Sequence, residues 1–473
     1  MSRSHLGPAP VSCEAVLRAC GVFIVIACAC ARLSAQELPP SPLERGVNFG
    51  NMLEAPNEGD WGLTLEAEYF ARVSAVGFDH IRLPVSWTYH TQAKAPYRID
   101  PAFLSRVVWA IEQARARGLA VVVNDHHHDE LNADPDAEGE RALAIWRQLA
   151  HRLRAYDPDQ VYFELLNEPH GAFNANPERW NAYLAEALAV VRAIDPDRPV
   201  LAGPVQWNSV DALDAFEPPD DAHLIATVHF YEPFGFTHQG AEWIDPIPPL
   251  GVDWIGTRYA LGWGWENWSW DTTTDAEDAG MRVTFDAGWA GLALHRGSPL
   301  DAVDSLTVEV DQALSLSIRA GMGDDFAVRE LQSGPGVNRY TVTFDPPLAA
   351  TDIHLQNNTP DPQAPFTVSF LEVTYERNES IRLLVDEAAF IAQGLALAER
   401  WAVARRLPLY VGEFGAYSRA DTASRVRWTG SVREQMEGLD LGFAYWEFGA
   451  GFGLYDPEAG RWRAPLLNSV LPR

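Results

Sequence analysis

The stretch FELLNEPHG, residues 163–171, places Asn167 and Glu168 directly after an apolar run that is typical of a buried strand. A carboxylate at the end of a core strand costs free energy unless it is paired or used. A second glutamate, Glu413, ends another apolar run, LPLYVGEFG at 407–415. Two carboxyl groups that face each other across a cleft can cleave a glycosidic bond, because one protonates the leaving oxygen and the other attacks the anomeric carbon.

Other apolar runs also end in polar or aromatic side chains. Chance placement would scatter such side chains and would not concentrate them at the ends of the runs. These are Arg82, Trp87, His126, His127, Trp207, His229, Tyr231, Trp446 and Glu447. Arg82 and the Tyr231 hydroxyl could keep one carboxylate ionised, and His229 could modulate the pKa of the other. Asn167 could bond a sugar 2-hydroxyl, and Trp446 offers an apolar face on which a sugar ring stacks. Glu447 points the other way on a regular strand, so we expect a buried structural ion pair there.

The elements that must position these residues alternate apolar strands with amphipathic helices. The strand runs are 46–53, 80–87, 120–127, 161–168, 199–207, 224–231, 407–415 and 441–449, with helical patterns such as 65–77, 102–118 and 179–194 between them. Near-continuous apolar strands alternating with helices indicate a parallel sheet covered on both faces. The sequence therefore predicts an α/β fold, a (β/α)8 TIM barrel, in which the C-terminal ends of the strands form the active-site face. A doubly wound open sheet is the alternative, but no glycine-rich phosphate loop favours it.

The alternation is interrupted between the sixth and seventh runs. There the chain has no comparable helix but has segments that alternate with period two and are bounded by Gly, Pro, Asp and Asn, which is typical of an antiparallel β-sandwich. We predict a signal peptide at 1–36, the first part of the barrel at 37–260, an inserted all-β domain at 261–378 and the second part of the barrel at 379–473.

The first 36 residues have the layout of a secretory signal. Arginines precede the apolar run CGVFIVIACACA at 20–31, and the small residues of LSAQ follow. All four cysteines lie in this segment, so the mature chain would have neither a disulfide nor a cysteine metal ligand. We expect a secreted protein without a membrane span. The stretch VIAC also resembles a lipoprotein signal, and in that alternative Cys28 would carry a lipid anchor.

The formal net charge of −29 disfavours nucleic acids and anionic membranes as partners, but it is compatible with a neutral sugar. The sequence HHHDE at 126–130 could suggest a metal site. Adjacent strand residues point to opposite faces, however, so at most two of these side chains would meet on one side. Catalysis by two glutamates needs no cofactor and no metal. We expect a monomer.

Six motifs, IRLPVSW, NDHHH, FELLNEP, VHFYEP, YVGEFG and FAYWEFG, occur in this order along the chain. As a set they resemble glycoside hydrolase family 5, the cellulase A family of clan A, over 46–260 and 380 to about 470. The resemblance implies a retaining mechanism with Glu168 as acid/base and Glu413 as nucleophile. It also implies a supporting set of Arg82, His126, Asn167, His229, Tyr231 and Trp446. His127 and Trp207 are further candidates for substrate contact, although a tryptophan can equally be part of the core.

The inserted domain, through GWENWSW and AGWAGLALH, resembles jelly-roll carbohydrate-binding modules. Its tryptophans at 263, 265, 268, 270 and 289 could form a stacking platform or fill a sandwich core, and the domain could instead act as a lid or a dimerisation surface. We expect a secreted retaining endo-β-1,4-glucanase acting on cellulose or a soluble β-glucan. Mannan, xyloglucan or a β-1,3-glucan as substrate, transglycosylation, and a catalytically inert carbohydrate-binding protein are the alternatives.

Overall fold

The computed structural model describes residues 37–376 and 378–472. The predicted signal peptide, including Cys28, lies outside the described residues. Within the described ranges, no helix has the length and apolar character that crossing a bilayer requires.

Eight parallel strands close into a barrel, which confirms the predicted fold class. They are β1 (Arg45–Asn48), β2 (His80–Leu83), β3 (Ala120–Asn124), β4 (Val161–Glu164), β5 (Val200–Ala202), β6 (Leu224–Phe230), β7 (Leu409–Phe414) and β8 (Gly442–Tyr445). Each strand pairs with its neighbour in chain order, and β8 returns to pair with β1. The closure is direct, because Val47 of β1 lies beside both Ile81 of β2 and Tyr445 of β8.

Helices cover the outside of the barrel. They are α1 (Ala67–Val76), α2 (Pro101–Arg115), α3 (Pro135–Leu153), α4 (Pro177–Arg192), α5 (Glu387–Arg405), α6 (Thr422–Gly438) and α7 (Ala464–Val470). Short helical turns lie at Thr88–His90, Asp129–Ala133, Ala172–Ala175, Val205–Asn208, Val210–Ala215 and Phe234–Thr237. Three long helices begin with proline after a side-chain cap from Asp100, Asp134 or Asn176. A cap that accepts a backbone N–H, followed by proline at the first helical position, is a strong helix start.

Alternation along the strands explains why polar residues occur inside the barrel. In β2 and β3, Ile81 and Val121 face the helices and join the large outer core. Val122, one residue further on, belongs to a separate apolar cluster inside the barrel with residues such as Tyr162 and Tyr410. The next inward positions towards the C-terminal ends are polar and fully buried, for example Arg82 on β2. Apart from His80, which lies 2.8 Å from the Tyr410 hydroxyl, the barrel interior is therefore apolar at its N-terminal end and polar at the end where the active site is expected.

The all-β region lies between β6 and β7, as predicted. Its strands are Glu266–Asn267, Thr272–Glu277, Gly280–Phe285, Gly291–Val310, Ser315–Met322, Asp325–Gln332, Asn338–Asn357, Phe366–Tyr375 and Glu379–Arg382. They form one antiparallel sheet of nine strands. Apolar residues from both ends of this sheet, such as Val283 and Ile318, belong to one core cluster, so the sheet folds over itself around its own core. Two paired strands, Tyr259–Leu261 and Leu384–Asp386, connect it to the barrel.

Candidate active site

A cleft of about 1100 Å³ opens at the C-terminal ends of the barrel strands. It brings together most of the residues predicted for the site, namely Glu168, Glu413, His126, His127, Trp207, His229, Tyr231 and Trp446. Arg82 and Asn167 are buried and do not line the cleft, but they contact its carboxylates or their neighbours. Trp87, which also ends a strand run, is fully buried, and its indole N–H donates to the backbone oxygen of Asn124.

Glu413 is held by two donors. Arg82 Nη1 donates to Oε1 at 2.6 Å, and the Tyr231 hydroxyl donates to Oε2 at 2.8 Å. Burial raises the pKa of Glu413 above its ordinary value, and the Arg82 cation and the Tyr231 hydroxyl limit this rise. Both donors stabilise the ionised form, and they fix the orientation of the carboxylate.

Arg82 is the centre of a buried polar network. Its guanidinium binds Glu164 through two hydrogen bonds of 2.7 and 2.9 Å and donates to Asn48 Oδ1 at 2.8 Å. It also donates to the side-chain oxygen of Asn167. Although burial opposes its charge, Glu164 and Glu413 hold the pKa of Arg82 above its ordinary value. Because Arg82 occupies the Asn167 oxygen, a substrate hydroxyl would meet the amide NH2 of Asn167 instead.

Glu168 has a different environment from Glu413. Its side chain is 26% exposed to the cleft, and Oε1 lies 2.7 Å from His229 Nδ1. Burial raises the pKa of Glu168 to about 7, against the opposing effect of the Arg82 cation. A carboxyl group with this pKa carries a proton through much of the mildly acidic range and can release it to a leaving group.

His229 lies between the two glutamates and is neutral near pH 7. Burial lowers its pKa to about 4. Asn208 Nδ2 lies 3.3 Å from His229 Nε2, so Nε2 is the accepting nitrogen and Nδ1 carries the hydrogen. His229 Nδ1 then donates to Glu168 at 2.7 Å and lies 3.7 Å from Glu413. The imidazole thereby orients Glu168 without adding a positive charge to the cleft.

The two glutamates are close together. One oxygen of each carboxylate and one nitrogen of His229 all lie within 4.8 Å of one another. Carboxyl groups about 5–5.5 Å apart are typical of retaining glycosidases, whereas inverting enzymes leave about 6.5–9.5 Å for a water molecule. The same three groups could geometrically hold a divalent cation. Because the buried Arg82 cation already contacts Glu413, the pair of glutamates is better suited to acid and nucleophile chemistry than to binding a divalent cation.

Part of the cleft wall is aromatic. The rings of His126 and Trp446 are parallel within 4°, with centroids 5.4 Å apart. His127 contacts the edge of His126 and of Trp61. A side chain at position 50 would place its Cβ 2.9 Å from the Trp446 ring, so Gly50 is required for the ring to occupy this position.

Trp207, also in the cleft wall, is 52% exposed and stacks on His170 with ring centroids 5.3 Å apart. Gln206, Trp207 and Asn208 all have φ near +60°, a left-handed conformation that is uncommon for residues with a Cβ. This turn directs Trp207 to the cleft and Asn208 to His229. Unusual backbone held by its surroundings is often found at functional sites.

Several predicted strand ends were wrong. β4 ends at Glu164, so Glu168 lies in the following loop, and β5 ends at Ala202, well before Trp207. His126 and His127 were expected on opposite faces of one strand, but β3 ends at Asn124 and both side chains line the cleft. The apolar residues that follow each strand pack in the loops, and sequence hydropathy does not separate them from the strand itself.

The expected ion pair of Glu447 was also wrong. Glu447 is fully buried and accepts hydrogen bonds from Asn51 Nδ2 and the Phe452 backbone N–H, both at 3.3 Å. Burial, followed by the nearby charge of Glu54, raises its pKa to about 8. Burial likewise raises the pKa of Glu54 to about 7.

Sequence reasoning missed other residues of the cleft. Glu54, one residue beyond the first predicted strand run, lines it, as does Asn51, which lies within that run. Glu164 had been treated as part of an apolar strand, although its inward position beside Arg82 follows from alternation. Trp263 had been assigned to the inserted domain, yet it lines the cleft and packs against Phe230 of the barrel with ring centroids 5.6 Å apart.

Comparison with known proteins agrees with this geometry. The family model described as Cellulase (glycosyl hydrolase family 5) matches residues 44–280. Endoglucanase H of Acetivibrio thermocellus is 38% identical over 194 residues, which are 41% of this chain and 21% of that protein. Endoglucanase A of Ruminococcus albus is 31% identical over 238 residues, which are 45% of this chain and 64% of that protein. The chain thus spans about a fifth to less than two thirds of the length of these relatives.

Solved structures also show similarity to endoglucanases, and they cover more of the chain. A structure named endoglucanase has a TM-score of 0.62 and 30% identity, covering 91% of this chain and 98% of the other. Thermotoga maritima Cel5A, in a structure with cellobiose, has a TM-score of 0.61 and 31% identity, covering 91% and 97%. The fold and the paired carboxylates define the class as glycoside hydrolase. The chain belongs to the cellulase family, glycosyl hydrolase family 5.

Proposed function

We propose that the chain is a secreted, retaining endo-β-1,4-glucanase. The observation that carries this proposal is the pair Glu168 and Glu413, whose carboxylate oxygens lie within 4.8 Å of each other in unlike environments. Glu413 is held by a cation and a hydroxyl, which favour its ionised form. Glu168 has a pKa of about 7 because of burial, which favours its protonated form at mildly acidic pH.

The reaction then has two steps. Glu413 Oε attacks the anomeric carbon while Glu168 gives its proton to the leaving glycosidic oxygen, and a covalent glycosyl-Glu413 ester forms. Water enters from the side of the departed sugar, Glu168 takes one of its protons, and the ester is cleaved with release of the sugar and ionised Glu413. His229 orients Glu168 in both steps through its Nδ1 hydrogen bond of 2.7 Å. No metal or cofactor takes part in this scheme.

The surrounding residues support binding and selectivity. The Asn167 amide NH2 would donate to the sugar 2-hydroxyl, a contact that strengthens in an oxocarbenium-like transition state. The Trp446 ring, backed by His126, offers a flat apolar face for one sugar unit. Trp207 offers a second aromatic face in the cleft.

The substrate is proposed from the relatives. Those described above are named endoglucanases, and structures of Thermotoga maritima Cel5A carry titles with both cellobiose and mannotriose. A β-1,4-glucan is therefore the first substrate, with mannan as the second polymer to test. The cleft of about 1100 Å³ is large enough for several sugar units.

Two further parts of the proposal depend on sequence resemblance. The inserted domain is a carbohydrate-binding module, in keeping with its separate β core. The predicted signal peptide at 1–36 directs secretion, with a lipid anchor at Cys28 as the alternative. Mass spectrometry of the protein recovered from a secreting host would distinguish a cleaved, unmodified N-terminus from an acylated Cys28.

The test of the central proposal is hydrolysis with stereochemical analysis. The mature protein should release reducing ends from a soluble β-1,4-glucan, and proton NMR should detect the β-anomer before mutarotation. Glu413→Gln should lower kcat by several orders of magnitude, whereas Glu140→Gln, a matched change at an exposed glutamate, should leave it unchanged. First appearance of the α-anomer would contradict retention. No release from glucan, mannan or xylan would contradict the hydrolase proposal.

A further inference from the structure

A second concave surface lies on the inserted domain. It has a volume of about 410 Å³ and shares no lining residue with the catalytic cleft. We call it the insert groove and define it by Trp268, Trp270, His295, Phe326, Asp352 and His354. Its aromatic and polar composition requires an explanation, because exposed aromatic clusters commonly mark binding sites.

The register of the sheet places these side chains on one face. His295 lies directly opposite Asp352, and Ala293 lies directly opposite His354. Residues directly opposite each other on antiparallel strands point to the same side, and the next residues along each strand point to the other. Accordingly Leu294, the neighbour of both Ala293 and His295, is buried in the core of the inserted domain. The groove is thus the outer face of the sheet and not part of its core.

Trp268 is held rigidly and yet is open to solvent. Its ring stacks on His295 with centroids 3.7 Å apart and a 12° angle between the planes. The indole N–H donates to Glu266 Oε2 at 2.8 Å, and His295 Nδ1 is itself 2.8 Å from Asp352 Oδ1. The residue nonetheless remains 57% exposed. One face of the indole is therefore covered by imidazole, and the ring is fixed in advance of any ligand, which lowers the entropic cost of stacking.

Polar atoms without partners among the described residues lie in the groove and beside it. His354 packs against Trp270 and Phe326, with centroids 5.3 and 4.8 Å apart, and its Nδ1 has no hydrogen bond. Arg319 lies over the Phe326 ring, and its buried Nε also has no hydrogen bond. Burial lowers the pKa of His354 to about 4, so near pH 7 its imidazole is neutral. Buried polar atoms are nearly always satisfied, and a ligand hydroxyl at His354 would satisfy its Nδ1.

We propose that the insert groove binds a segment of β-1,4-glucan, the same polymer that the barrel cleaves. The choice of polymer rests on the proposed function. The sugar units of such a chain are flat, with C–H groups on their faces and hydroxyls at their edges. Trp268 would stack on one face, and Asp352 and His354 would bind the edge hydroxyls. Acidic residues at the groove, in a chain with a net charge of −29, disfavour anionic polymers.

Joining this groove to the barrel raises the local concentration of polymer at the catalytic cleft. The higher local concentration helps with a long polysaccharide that reaches both sites, and not with a short oligosaccharide that occupies only the cleft. The groove should therefore affect polymer hydrolysis and leave the turnover of a small aryl cellobioside unchanged.

Affinity electrophoresis of the full chain in native gels containing hydroxyethylcellulose tests the binding. All variants carry Glu413→Gln, which prevents cleavage, and Trp446→Ala, which weakens binding in the cleft. Adding Trp268→Ala should raise the dissociation constant about tenfold or more, as loss of a dominant aromatic contact does, and Trp268→Phe should restore most of the affinity. Val337→Ala, at a residue of the same domain that is 68% exposed and outside the groove, is the matched control and should change nothing.

Activity with both glutamates intact gives the second measurement. Trp268→Ala alone should lower the rate on dilute polymer several-fold and leave kcat/KM for an aryl cellobioside unchanged. Thermal unfolding would verify that the variants are folded. Unchanged retardation after Trp268→Ala, or retardation in mannan or xylan gels only, would overturn the proposal. If the intact chain hydrolyses no polymer but retardation depends on Trp268, the proposed hydrolase function fails and the groove proposal stands.

Discussion

At the scale of single residues, the site gives the carboxyl groups of Glu168 and Glu413, which are chemically identical, different environments. Arg82 and Tyr231 bind Glu413, and a neutral His229 binds Glu168. The pKa of Glu168 is about 7 because the carboxyl group is desolvated. Because the proposed reaction needs Glu168 protonated and Glu413 ionised, the active fraction should fall as the pH rises through about 7 and fall again at low pH when Glu413 gains a proton.

This gives a prediction for the pH profile. kcat/KM on a β-glucan should be bell-shaped, with its alkaline limb near pH 7. In Glu168→Ala that limb should disappear for dinitrophenyl cellobioside, whose leaving group needs no proton, while kcat/KM on polymer falls about 10²–10⁴-fold. Steady-state kinetics from pH 4 to 9 would measure both. An alkaline limb that persists in Glu168→Ala would assign it to another group, whereas Glu140→Gln should keep the wild-type profile.

At the scale of elements, much of the barrel could be predicted because apolar runs and helical patterns alternate in a fixed order. The segments that follow the strands and line the cleft could not be predicted equally well. Trp207 reaches the cleft through a left-handed turn that no hydropathy pattern encodes. Glu54 raises the pKa of Glu447 because β1 and β8, the first and last barrel strands, are neighbours after closure. Their residues are far apart in sequence, so their proximity could be known only from the folded barrel.

These two buried carboxyl groups make stability depend on pH. The pKa of Glu447 is about 8 and that of Glu54 about 7, against a reference value of 4.5 for both. The folded chain therefore holds protons that the unfolded chain releases, so the stabilisation is present in full below pH 4.5 and is lost as the pH rises to about 8. At about 1.4 kcal/mol per pKa unit, Glu447 alone accounts for a few kcal/mol across this range.

Glu447→Gln should remove part of this dependence, because glutamine stays neutral and keeps an oxygen that accepts the Phe452 N–H. We expect a higher thermal unfolding midpoint than wild type at pH 8 and a difference near zero at pH 5. Calorimetry at both pH values would measure it, with Glu140→Gln as the exposed control. Equal destabilisation at pH 5 and pH 8 would indicate that the loss of packing or hydrogen bonding, and not the charge, decides the effect.

At the scale of the whole molecule, the barrel and the inserted domain have separate hydrophobic cores. Two short paired strands connect them, and Trp263 lies on the barrel side of this connection. Its ring packs between Phe230 and Phe390, and its indole N–H donates to Asp211 at 2.6 Å. Trp263 therefore belongs to the cleft, although it lies in sequence among the tryptophans of the inserted domain.

Replacing residues 264–381 with a short Gly/Ser linker should leave a folded barrel that retains Trp263. Leu383 and Leu384, which belong to the core of the inserted domain, would be changed to serine to avoid an exposed apolar patch. We expect kcat/KM on an aryl cellobioside to stay within about threefold of wild type, because domains with separate cores fold largely independently. Trp263→Ala in the full chain should lower the same constant more than the deletion does. If the deletion abolished turnover of the small substrate while circular dichroism showed a folded barrel, the inserted domain would be a lid that completes the active site.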